Sequence, residues 1–142
     1  MKDIDKFKEA EHIYHVTLKN NRSFEVVKNF IETIAAFYDD MISKYLEKMK
    51  EEGKIVDVPD APLKRISAFL KLLPNEKLRE YVEEYKMLRK CLISSYEVIN
   101  EHRRNMKIIF RFDSNEIVIT TKKLKEILIR AKEFKDLIKN YL

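Results

Sequence analysis

Glycine is almost missing from this chain: Gly53 is the only one in 142 residues. That excludes the glycine-rich loops that cradle phosphates, because no second glycine exists to build G-x-G or G-x-x-x-x-G-K. It also argues against folds that depend on tight glycine turns. Cysteine is equally scarce. Cys91 stands alone, so no intramolecular disulfide can form, which fits a reducing, cytoplasmic setting. Cys91 falls in an apolar helical stripe with no activating helix start before it, and reads as a buried, inert thiol. Long hydrophobic runs are absent too. The richest stretch, 30–42, is broken by Glu32, Asp39 and Asp40 and falls short of the about 20 apolar residues a membrane span needs. At the start, Met1-Lys2-Asp3-Ile4-Asp5 alternates charge where a signal peptide requires an apolar segment. No membrane partner is expected.

Charge is abundant. Charged residues make up 37% of the chain, mostly Lys and Glu, a bias shared by thermostable proteins of hot-growing organisms and by long exposed helices. The net charge of +5 is unevenly placed. Residues 86–142 hold 14 Lys or Arg against 7 Asp or Glu, while the rest of the chain is slightly acidic. The C-terminal part is therefore the cationic pole, where an anionic partner would dock.

Apolar spacing predicts five helices and one hairpin. The first helix, 3–20, has a stripe of Ile4, Phe7, Ala10, Tyr14, Thr17 and Leu18. Ser23 offers an N-cap to a long second helix, 24–52, with Gly53 where a left-handed C-terminal cap belongs. Its apolar face includes Phe30, Ile34, Tyr38 and Tyr45. Residues 54–61 form a linker. Pro62 suits the first turn of a short third helix, 62–73, which Pro74 stops. Asn75 caps a fourth helix, 76–105, whose seam runs Leu78, Tyr81, Tyr85, Leu88, Leu92, Ser95, Ile99 and His102. The period then changes to two: Ile108, Phe110 and Phe112, then Ile117 and Ile119, flank Asp113-Ser114-Asn115, which reads as a β-hairpin. Thr121 caps the last helix, whose stripe includes Leu124, Ile127, Ala131, Phe134 and Ile138. The expected fold is mainly α: one domain over 1–142, an antiparallel bundle of about five helices with one β-hairpin between the last two.

Three sets of residues bear on chemistry. The first is basic: Arg103, Arg104, Lys107 and Arg111, then Lys122, Lys123 and Lys125. A hairpin returns the chain to where it left, so the arginines closing the fourth helix and the lysines opening the fifth should meet on one face. Phe110 or Phe112, if exposed beside them, would supply stacking surfaces for RNA. The plainer account is that cations at a helix C-terminus complement its dipole and that charges beside a hairpin keep it soluble. The second set is histidine. His12 and His15 lie three apart on the first helix and read as surface residues. His102, on the predicted seam, reads as half-buried and is the one candidate functional histidine. A carboxylate-bundle metal site needs two Glu-x-x-His pairs, and only Glu9-x-x-His12 is present. No motif calls for a metal or a cofactor. The third set is paired carboxylates, Asp39-Asp40 and Glu83-Glu84. Adjacent residues on a helix point about 100° apart and read as solvated faces. No nucleophile elbow or triad signature is present.

The helix order resembles HEPN-type helical bundles. Ala10-Glu11-His12 on the first helix, Ala35-Ala36 on the long second helix and the polar His102-Arg103-Arg104 segment carry the likeness. The resemblance implies a bundle that dimerises and touches RNA. In that family an Arg followed four to six residues later by a His forms a metal-independent ribonuclease site. Here the order is reversed, with His102 before Arg103 and Arg104, so the expectation is a non-catalytic binding module. A homodimeric or protein-partner module, its apolar surface on the hairpin face or the second helix, is the alternative. A ribonuclease using His102, or a metal-dependent hydrolase, is the third.

Overall fold

The computed structural model describes residues 5–142. The predicted start at Asp3 and the place of Ile4 in the first stripe lie outside the described residues. Asp5 caps the first helix, its carboxylate accepting from the Lys8 N–H at 3.1 Å. Helix α1 runs as α-helix over Lys6–His12, as π-helix over Ile13–Thr17 and again as α-helix over Leu18–Asn20. Ser23 then caps α2, Phe24–Glu51, by accepting from the Val26 N–H. Gly53, at φ 74°, ends it: its N–H reaches the Lys50 carbonyl and the Lys54 N–H reaches that of Met49, the paired bonds of a Schellman cap.

Helix α2 is the centre of the molecule. It packs against α1, α3 (Pro62–Lys71), α4 (Leu78–Leu92) and α5 (Thr121–Ile138). Tyr38 stacks on Tyr85 at 5.4 Å and lies 4.7 Å from Phe134, so three helices meet through aromatic rings. Two carboxylates that read as solvated are paired across helices instead. Asp39 takes a two-pronged contact from Arg65, which also donates to the Pro59 carbonyl and so pins the linker. Glu84 pairs with Arg130 of α5.

The largest departure from the sequence reading lies after Leu92. The fourth helix does not reach 105. Ser94 turns the chain, its hydroxyl and N–H both bonding to the Cys91 carbonyl, and a strand follows. Strands β1 (Ser95–Ile99), β2 (Lys107–Phe112) and β3 (Asn115–Thr120) form one antiparallel sheet in the order β1-β2-β3, between α4 and α5. The expected two-stranded hairpin is thus a three-stranded sheet. The reason is an ambiguity of period: Tyr96, Val98 and Ile99 are strand-forming residues that also fall at helical spacing. A third strand relieves the marginal stability of a lone hairpin. Ile108, Phe110 and Ile119 face inward and join the same buried cluster as the five helices.

Candidate anion-binding pole

The segment between β1 and β2, residues 100–106, carries His102, Arg103 and Arg104. It folds back on the α1–α2 junction. The His102 N–H donates to the Arg22 carbonyl at 2.8 Å, and Glu101 accepts from the Phe24 N–H at 2.9 Å, capping α2. Asn100 and His102 both take left-handed backbone conformations, φ 55° and 71°, an uncommon pair for non-glycine residues. His102 is therefore an exposed loop residue and not the half-buried seam residue expected. It borders an open pocket beside Phe24 and Tyr96, whose rings stack at 4.0 Å.

The same segment touches the start of α5. The Thr121 hydroxyl donates to the Arg104 carbonyl at 3.5 Å, and Lys107 stands opposite Thr120 in the β2–β3 register. The helix cap is Thr120, one residue before the position expected: its hydroxyl accepts from the Lys123 N–H. Freed from capping, Thr121 ties the arginine loop to the lysine turn. Arg103, Arg104, Lys107, Lys122 and Lys123 thus belong to one end of the molecule. Helix α5 also opens with lysines and no acidic residue in its first turn, against the preference of the helix dipole. The potential at this end is raised by both. Among the described residues, no ion pair engages any of these five cations.

Arg111 does not join them. It lies four residues along β2 from Lys107, about 13 Å at strand spacing, and is held between Glu97 at 2.9 Å and Glu116 at 3.2 Å. It is a cross-strand ion-pair residue. Nor do the expected stacking rings stand beside the pole: Phe110 is buried, and Phe112 is half-covered with Lys90 over its ring.

Two cations that sequence reasoning missed do join the pole. Lys19 and Arg22, at the end of α1, line a small cavity whose other wall includes Thr121. Their approach depends on the long-range bond from His102 to Arg22, for which no local signal exists. His12 and His15 are exposed on α1. Among the described residues, no three His, Cys, Asp or Glu side chains are grouped to hold a metal ion, and no helix is long and apolar enough to cross a membrane. Tyr96 and Val118 are exposed on the sheet, and among the described residues no large apolar side chain of α2 is exposed. Leu63 is exposed at a groove it lines with Ile55, Pro59 and Leu72. Comparison with protein-family models, curated proteins and solved structures finds no match to this chain.

Proposed function

We propose that this chain is a non-catalytic binding module, HEPN-like in its helix order, that engages RNA through its basic pole. The observation that carries the reading is the Thr121–Arg104 hydrogen bond, which joins the loop of Arg103 and Arg104 to the turn of Lys122 and Lys123. Cations gathered at one end and in no ion pair with a described carboxylate attract a phosphate backbone by counterion release. Arg103, Arg104, Lys107, Lys122 and Lys123 carry the phosphate contacts, joined by Lys19 and Arg22. Arg111, held by two glutamates, is left out of that set. An electrophoretic shift at low salt with single-stranded RNA is expected to show retention, and retention of no nucleic acid at all would overturn the reading. His102 takes no catalytic part: RNA left intact by wild type and His102→Ala alike is expected, whereas cleavage lost in that variant would make the protein a ribonuclease.

A second reading, self-association, is favoured by Leu63, 65% exposed, which lines an apolar groove with Ile55, Pro59 and Leu72 between the linker and α3. Sedimentation decides it: a monomer at high concentration removes it.

A further inference from the structure

We propose that the cavity between α1, the 100–106 loop and the start of α5 receives one unpaired nucleobase of a single-stranded RNA. This inference rests on the reading of the basic pole as an RNA-binding surface and gives that surface a preference.

The cavity has a volume of about 130 Å3. Sites for whole drug-sized molecules run to about 300–1,000 Å3, so this one suits a single flat group of a larger ligand. Its inner wall is apolar: Leu18, Met106 and Leu124 are buried side chains. Tyr14, half-buried, offers an aromatic ring at the same cavity. The rim is polar and cationic, with Lys19 exposed and Arg22 and Thr121 half-exposed. An apolar, aromatic slot ringed by cations matches a base with its phosphates outside.

The backbone around the cavity is irregular in a way the fold alone does not require. Tyr14 sits in the π-helical stretch Ile13–Thr17. Such segments are less stable than α-helix and recur at functional sites. The opposite wall is supplied by the loop with two left-handed residues, fastened by the His102–Arg22 bond. The π-helical stretch borders the cavity through Tyr14 and the loop meets it through Met106, whereas His102 faces the neighbouring pocket beside Phe24 and Tyr96. A duplex keeps its bases paired and cannot fill the slot, so it engages the rim cations alone.

The test compares a short single-stranded oligouridylate carrying one 2-aminopurine with a blunt RNA duplex of equal length, at fixed salt. The single strand is expected to bind more tightly, with 2-aminopurine emission falling as the base stacks. Tyr14→Ala should weaken the single strand by about 5- to 100-fold, as for loss of one stacked base. It should leave the duplex unchanged, and Tyr14→Phe should restore single-strand affinity. Should Tyr14→Ala fail to fold, the emission change in the wild-type protein decides. Equal affinity for strand and duplex with unchanged emission, while Lys122→Ala still weakens both, overturns the cavity proposal and leaves the pole intact. Binding of neither RNA overturns the pole reading itself.

Discussion

Tyr38, Tyr85 and Cys91 are buried, and burial pushes the pKa of each hydroxyl or thiol up, Cys91 to about 11. The charge of Glu84 adds to the effect on Tyr38, and that of Asp39 to the effect on Tyr85. The native state therefore keeps these protons where the unfolded chain releases them, from about pH 8.5 for cysteine and about pH 10 for tyrosine. Stability supplied by these groups is fully present below those values and is lost as pH rises, because the unfolded state then binds fewer protons. The urea midpoint should hold steady between about pH 6 and 8 and fall above about pH 9. A midpoint unchanged to strongly alkaline pH would contradict the burial. The Tyr38 hydroxyl, moreover, has no hydrogen-bond partner among the described residues. Removing an unpaired buried polar group is nearly neutral or stabilising, so Tyr38→Phe should change unfolding free energy by less than about 1 kcal/mol or raise it. Phe134→Ala, deleting a ring the core is built on, should cost about 3–5 kcal/mol by the same measurement. A large loss in Tyr38→Phe would reveal a hydroxyl contact the core does not display.

The sheet separates the cations of the proposed binding pole from Arg111, which holds strands together. Arg111 bridges Glu97 of β1 and Glu116 of β3, and all three side chains are about half-exposed. Exposed pairs are worth roughly 0–1 kcal/mol. Arg111→Ala should therefore cost at most about 1 kcal/mol in a melt and leave RNA affinity within about twofold. A tenfold loss of affinity would return Arg111 to the binding surface. Long, regular elements were legible in the sequence. Helix α2 keeps one period over 28 residues between a Ser23 cap and Gly53, so its extent and buried face follow directly. The turn at Asp113 and Ser114 and the strands beside it were legible for the same reason. Strand β1 was not, because five residues satisfy both periods and only the neighbouring β2 decides between them. The α1 π-segment has no residue signature either. Of the site, Lys122 and Lys123 could be placed beside Arg103 and Arg104 from the hairpin's return. The arrival of Lys19 and Arg22 could not, since it depends on a backbone bond spanning 80 residues of sequence from Arg22 to His102.

Across the molecule, the uneven charge and the fold act together. A net +5 is modest, but the loop and the start of α5 gather cations at one end, while Arg65, Arg111 and Arg130 are engaged by carboxylates elsewhere. Association with a polyanion should thus depend on the pole and on ionic strength, and little on the remaining surface. The most direct measurement is the affinity of a labelled single-stranded RNA across a salt series, for wild type, Lys122→Ala and Arg104→Ala. The account predicts that affinity falls linearly on logarithmic axes and that each variant lowers the slope by about one, with weakening nearly independent of RNA sequence. Slopes identical in all three proteins, or affinity indifferent to salt, would contradict it.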